Sequence, residues 1–148
     1  MKRIIGIALA AAALAAAGCG DTADKNEYVT SVNNAQASLT TSLSKINPAG
    51  KPDQIATELD EGGTAIETTV KDFKAIEPPK DAAKAHDQIV SGLSALATTF
   101  HDAAEAARAN DTEKMTTLLT GIQTSEGAKQ LEAAQKELVA NGYKFEDS

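Results

Sequence analysis

The apolar residues of this 148-residue chain recur three or four positions apart over long stretches. That spacing matches the 3.6-residue turn of an α-helix, whereas a half-buried strand alternates apolar and polar residues. Beyond residue 21 the main interruptions are at residues 47–52, 77–79, 110–111 and 141–142. The pattern therefore predicts an all-α fold with four long helices.

The first three predicted helices cover about residues 22–46, 52–76 and 80–109. Pro52 suits the first turn of the second helix, because its missing N–H needs no partner there. Short loops between helices of this length favour alternating directions. We therefore expect an up-down-up-down four-helix bundle.

The fourth predicted helix begins after Asn110, which we expect to cap it with Glu113 in a capping box. The pattern is interrupted at residues 124–127. This segment is either one kinked helix or two helices, the second capped by Ser125. Asn141-Gly142 is the expected stop.

Two adjacent glycines, Gly62 and Gly63, lie in the middle of the second predicted helix. Each costs a helix interior about 1 kcal/mol relative to alanine. They indicate a kink, a close helix crossing or a ligand cleft, of which kink or crossing is the simpler interpretation.

The N-terminus has the three parts of a secretory signal peptide. Lys2 and Arg3 are followed by an uncharged run, residues 4–17, and then by Gly18 and Cys19. As a helix, the uncharged run would span roughly 21 Å, which is short of the roughly 30 Å hydrocarbon core. The run therefore predicts a cleaved signal peptide, residues 1–18, better than a permanent transmembrane helix.

The segment Leu14-Ala15-Ala16-Ala17-Gly18-Cys19 resembles the lipobox of bacterial lipoproteins, with Ala16 where leucine is usual. The resemblance implies cleavage between Gly18 and Cys19 and a diacylglycerol on the Cys19 sulfur, with acyl chains such as palmitate. Cys19 is the chain's sole cysteine, so the alternative is a free thiol and not an intrachain disulfide. Residues 19–24 would form a short tether and residues 25–148 the helical domain, held at the outer face of the cell membrane.

Removal of residues 1–18 takes away two basic residues, so the formal charge changes from −7 to −9. An acidic surface repels phosphate groups. We therefore expect no nucleic acid partner.

Candidate catalytic and metal-binding residues are few. His86 lies in an apolar stripe, where a histidine is usually a hydrogen-bonded core residue, and His101 is placed to pair with Glu105 on a solvated face. About 22 Å of helix separates the two histidines, so they cannot share a metal ion. Met115 with either histidine is weak evidence for haem, because methionine at core spacing is usually core filler. We expect no enzyme, no metal and no cofactor.

The segment that carries Pro78, Pro79 and Ala85-His86 resembles a pattern of small helical lipoproteins from high-GC Gram-positive bacteria. The similarity covers about 30 residues and implies a helical bundle without transferring a function. His86 follows the Pro78-Pro79 corner closely, and we expect it to hydrogen-bond a backbone carbonyl across that corner.

Two functions remain open from the sequence. The first is a non-catalytic module, anchored through Cys19, that presents a helical surface to a protein partner; this predicts an exposed apolar patch. The alternative is a carrier or sensor that binds an apolar ligand between helices; this predicts an internal cavity with few polar groups.

Overall fold

The structure is a computed structural model that describes residues 20–44 and 50–145, without the side chains of residues 20–24, 38, 39, 42 and 43. The predicted signal peptide, Gly18, Cys19 and the end of the first predicted helix at Ile46 lie outside the described residues.

All regular secondary structure in the described residues is helical, so the all-α prediction is confirmed there. The described residues form five α-helices: α1 (Gly20–Leu43), α2 (Pro52–Ala75), α3 (Ala83–Arg108), α4 (Thr112–Gly121) and α5 (Glu126–Ala140).

The predicted fourth helix is two helices, which confirms the second of the two alternatives. One 3-10 turn, Ile122–Thr124, follows α4. Ser125 then adopts an extended backbone, and its side chain accepts a hydrogen bond from the Ala128 N–H. This N-cap satisfies one of the unpaired donors at the start of α5, so the chain begins a new helix there.

The predicted cap at Asn110 is wrong by one residue. Asn110 has a φ of 56°, and its N–H bonds to the Ala107 carbonyl while the Asp111 N–H bonds to the Ala106 carbonyl. This pair of bonds is a Schellman motif, which ends α3. The side chain of Asp111 caps α4 by accepting from the Lys114 N–H.

The predicted stop at Asn141-Gly142 is confirmed. Gly142 has a φ of 85°, and the Tyr143 N–H bonds to the Leu138 carbonyl. A positive φ suits glycine, which has no Cβ to clash. The chain turns sharply at Gly142, and the next side chain, Tyr143, is buried against the core.

Helix α3 packs against α2, α4 and α5, while α1 packs on α2. Asp60 near the start of α2 contacts Arg108 at the end of α3, and Phe73 near the end of α2 contacts His86. These pairs show that α2 and α3 run in opposite directions. By the same argument α5 is antiparallel to α3, since Lys84 reaches Glu137 and the backbone of Gly92 meets that of Gly127.

The core combines a few large side chains with many alanines. Leu59, Ile66 and Leu138 are the largest fully buried side chains. Most of the buried face of α3 consists of small residues, namely Ala85, Gly92, Ala97, Ala103, Ala104, Ala106 and Ala107. Small residues let helix backbones approach closely, and the helices can then exclude water without large side chains.

Helices α3 and α5 approach each other closely at two glycines. A Cβ atom added to Gly92 would lie 2.8 Å from the Gly127 carbonyl oxygen, and one added to Gly127 would lie 2.9 Å from the Gly92 oxygen. Each glycine therefore leaves room for the backbone of the other helix. No sequence pattern predicted this contact.

Gly92→Ala is expected to lower the free energy of unfolding by about 1–3 kcal/mol, the usual cost of overpacking, because the new methyl group would meet backbone. Gly121→Ala is the matched control, since a Cβ at Gly121 would have no neighbour within 4 Å; alanine there should leave stability equal or raise it by up to about 1 kcal/mol. Urea unfolding monitored by circular dichroism measures both changes. Equal effects of the two substitutions would contradict the close α3–α5 contact.

Candidate functional site

Three aromatic rings and one histidine meet where α1 passes the corner between α2 and α3. The His86 ring centroid lies 5.9 Å from that of Tyr28 and 5.8 Å from that of Phe73. Tyr28 and Tyr143 meet edge to face at 5.8 Å, and all four side chains are buried. Tyr28 belongs to α1, Phe73 to α2 and His86 to α3, and Tyr143 follows α5. This aromatic cluster therefore joins α1, α2, α3 and the chain after α5 at one end of the molecule, called here the corner end.

His86 is buried in the α3 stripe, as the sequence predicts, but the predicted hydrogen-bond partner is wrong. Its Nδ1 atom lies 3.1 Å from the Tyr28 hydroxyl, and not against a backbone carbonyl at Pro78-Pro79. Burial lowers the pKa of His86 and raises the pKa of Tyr28 to about 12. At neutral pH the ring is therefore uncharged, and the hydroxyl donates to Nδ1 when the ring proton is on Nε2. His86 thus holds α1 against α3.

An ionic network surrounds the exposed side of the aromatic cluster. Lys25 Nζ lies 2.6 Å from Asp81 Oδ2, donates to the Asn141 carbonyl at 2.9 Å, and lies 5.0 Å from the Tyr143 ring centroid. The Tyr143 hydroxyl donates to Asp81 Oδ1 at 2.7 Å. The hydrogen bond from Lys25, followed by that from Tyr143, holds the pKa of Asp81 below its usual range. The network ties the start of α1 and the chain after α5 to the same carboxylate.

An open cleft of about 930 Å³ lies beside this network. One wall is the first part of α1, and the other is the corner between α2 and α3. Polar and apolar atoms line it about equally; the lining residues are Lys25, Glu27, Tyr28, Ser31, Ala75, Ile76, Glu77, Pro78, Pro79, Lys80 and Asp81. Pro78 and Pro79 therefore help to shape a cleft, in addition to separating two helices.

The corner wall has a fixed backbone. The Ala82 N–H bonds to the Pro79 carbonyl at 2.8 Å, and the Ile76 N–H bonds to the Phe73 carbonyl at 3.0 Å. Proline also restricts its own φ and the conformation of the residue before it. The corner can therefore present its side chains to a ligand with little further ordering.

A second polar cluster lies towards the opposite end of α2 and α3. His101 Nδ1 lies 3.0 Å from Asp60 Oδ1, and His101 Nε2 lies 3.5 Å from Glu67 Oε1. Arg108 binds the other oxygen of Asp60, and the hydrogen bond from Arg108, followed by that from His101, lowers the pKa of Asp60. The predicted pairing of His101 with Glu105 is replaced by these contacts across the α2–α3 interface.

Gly63 is explained by this second cluster. A Cβ atom added to Gly63 would lie 2.8 Å from both Cε1 and Nε2 of His101. Helix α2 runs through Gly62 and Gly63 without a break, and both residues are buried. The His101 side chain of α3 therefore occupies the space that a Cβ at Gly63 would need, and the cleft described above lies at the other end of α2.

The geometry of the second cluster gives it a structural task. A catalytic histidine held by a carboxylate would direct its second nitrogen at a nucleophile or a substrate, whereas Nε2 of His101 faces the carboxylate of Glu67. Within residues 20–44 and 50–145, no group of three metal-ligating side chains converges. Met115 is partly buried against the hydrophobic core.

None of the helices described here is both long enough and apolar enough to cross a membrane. Comparisons with known proteins find no matching family model, and no curated protein or solved structure is significantly similar to the chain. The lipoprotein resemblance stays a prediction.

Several residues of the corner end escaped the sequence analysis. The helical pattern alone gave Tyr28, Lys25, Asp81 and Tyr143 no particular role. Opposite charges and aromatic residues are common in any helical sequence, and their separation along the chain hides their proximity. The one usable signal was Asn141-Gly142, because a helix stop of this type often places an apolar residue against the helix that it ends.

The stability of the protein is expected to fall as pH drops through about 6.5, since burial lowers the pKa of His86. Below the ordinary histidine pKa of about 6.5 the unfolded chain takes up a proton that the folded chain excludes. The contribution is fully present above that pH and is lost towards the lowered pKa. Urea unfolding at pH 7.5 and pH 5.5 measures this loss in the wild type and in His86→Asn, which keeps a polar group but cannot titrate. The wild type should lose more stability than the variant; equal losses would contradict the assignment.

Proposed function

We propose that this protein is a lipoprotein of the outer face of the cell membrane, a non-catalytic helical module that binds a protein partner. The observation that carries the proposal is the open cleft of about 930 Å³ at the corner end. Its volume is within the range of ligand sites, and its walls are held by the aromatic cluster and the ionic network.

The tether is proposed from the N-terminal sequence. Lys2 and Arg3, the uncharged run and Gly18-Cys19 have the layout of a lipoprotein signal peptide. A diacylglycerol on Cys19 supplies two acyl chains, which anchor a protein stably where a single chain binds only marginally. The proposed mature chain begins at Cys19.

The proposed domain is an up-down-up-down bundle in which α4 and α5 together occupy the fourth position. Support comes from the opposite directions of α2 and α3 and of α3 and α5. The salt bridge between Lys25 and Asp81 also places the start of α1 beside the start of α3. All three observations agree with alternating helix directions.

The tether and the cleft are proposed to lie at the same end of the molecule. Gly20, the residue bonded to Cys19, is the first residue of α1, and Lys25 is five residues further on. Five helical residues rise about 7.5 Å, and Lys25 lines the cleft. A lipid on Cys19 would therefore hold the cleft close to the membrane surface, where a membrane-associated partner is concentrated.

The runner-up function is a carrier for an apolar ligand between the helices. That function predicts an enclosed cavity with few polar groups, whereas the cleft is open and lined by five charged side chains. Val139 is the one large apolar side chain that is exposed among the described residues. A single side chain does not form the exposed apolar patch that the sequence predicts, so the proposed partner surface is the cleft. A mixed, preformed cleft favours the binding module.

The tether is tested by the intact mass of the protein purified from the membrane fraction of cells that express the full-length chain. The expected mass is that of residues 19–148 with a diacylglycerol adduct, and Cys19→Ala should lose the adduct and the membrane retention together. Cys19→Ser is a second variant that preserves the size of the side chain. An unmodified mass, with wild type and variants equally soluble, would refute the proposed anchor.

A further inference from the structure

We infer that the cleft binds a cationic, partly apolar peptide segment of the partner protein, an inference that rests on the proposed function. Five charged side chains line the cleft. Lys25 and Asp81 neutralise each other through their 2.6 Å contact, and both are also held by neighbouring groups. Neither charge is available to a ligand without breaking the network that closes the corner end.

The remaining charges favour a cation. Glu27, Glu77 and Lys80 line the cleft, are exposed, and form no ion pair with any residue that the structure describes. Glu27 belongs to the α1 wall and Glu77 to the corner wall. One carboxylate on each wall gives two positions that attract an ammonium or guanidinium group. Only Lys80, among these three side chains, would repel such a group.

The apolar part of the lining favours a peptide with apolar side chains. Tyr28, Ile76, Pro78 and Pro79 contribute to the cleft, and the last three are partly exposed. The hydrogen bonds of the corner fix their positions. A preformed apolar surface costs little entropy when a ligand covers it, so apolar side chains between the cationic ones would add affinity.

Charge complementarity selects a cationic peptide over an anionic membrane lipid. A lipid phosphate in the cleft would meet Lys80 but would be repelled by Glu27 and Glu77. The full chain has a formal charge of −7, and its predicted mature form is more acidic still. The long-range field of the protein therefore attracts basic segments and repels anionic headgroups.

The inference is tested by fluorescence anisotropy with protein from cells that express the full-length chain, kept in mild detergent. The probe is a fluorescein-labelled octapeptide that contains two lysines among apolar residues, and its companion carries glutamates in place of the lysines. Glu27→Gln/Glu77→Gln is expected to weaken binding of the lysine peptide about fivefold, the size expected for two exposed ion pairs. Raising the salt concentration should weaken wild-type binding and have less effect on the variant.

The matched control is Glu61→Gln/Glu105→Gln, which makes the same change in net charge at exposed positions of α2 and α3 outside the cleft. This variant should bind the peptide as the wild type does. Ala75 lines the cleft and is exposed, so Ala75→Glu adds a carboxylate and should strengthen binding. Circular dichroism of each variant confirms that the helices are intact.

A dissociation constant for the lysine peptide above about 1 mM would overturn the inference. So would equal losses of peptide affinity in the cleft and control variants, or equal affinity for the lysine and glutamate peptides. Cleft-dependent binding of vesicles of phosphatidylethanolamine and phosphatidylglycerol, in place of the peptide, would also overturn it. The intact mass of the protein tests the lipid on Cys19 independently of peptide binding. Peptide binding by an unlipidated protein would leave the inference intact and remove the tether.

Discussion

The architecture depends on how closely α3 can approach the helices around it. Its buried face carries mostly alanine and glycine. A buried leucine or phenylalanine contributes about 1.5–3 kcal/mol, whereas an alanine methyl contributes about one methylene's worth, near 0.8 kcal/mol. An alanine-rich interface gains stability when backbones come close enough to exclude water and to add dispersion contacts along their length. Gly92 and Gly127 allow such an approach between α3 and α5, and Gly63 allows it between α2 and the His101 ring.

The corner end differs in composition from the alanine-rich helix interfaces. Here the helices are joined by Tyr28, Phe73, His86 and Tyr143, and then by the ionic network of Lys25 and Asp81. Helix α1 depends on this end in particular, because Tyr28 is the only buried residue among the α1 side chains that the structure describes. The same contacts that hold α1 also form one side of the cleft. Stability and the proposed binding surface are therefore coupled at the corner end.

The sequence predicted local features better than partnerships. Ser125 as a cap, Pro52 in a first turn and Asn141-Gly142 as a stop all follow from backbone chemistry within a few residues. Asn110 was misplaced because asparagine suits both an N-cap and a left-handed C-terminal position. The position of the Schellman motif decides between these two roles, and the local composition does not fix that position.

His86 illustrates the limit of this reasoning at the candidate site. Its position in an apolar stripe predicted a buried, hydrogen-bonded side chain, and the structure has one. The partner lies on α1, 58 residues earlier in the chain, and no local pattern marks Tyr28 as different from any other apolar stripe residue. The same holds for His101, which lies one turn from Glu105 in sequence but bonds to Asp60 across the helix interface.

By itself, then, the sequence determined the helical class, most helix ends and the burial of His86, because the 3.6-residue period and the chemistry of caps and turns act over a few neighbouring residues. Only the tertiary structure decided which side chains meet. Lys25, Asp81 and Tyr143 form one network, and a cleft opens beside it, because helix directions and close backbone contacts bring the start of α1, the corner and the end of α5 together. These contacts span most of the chain, and their geometry is fixed when the helices pack.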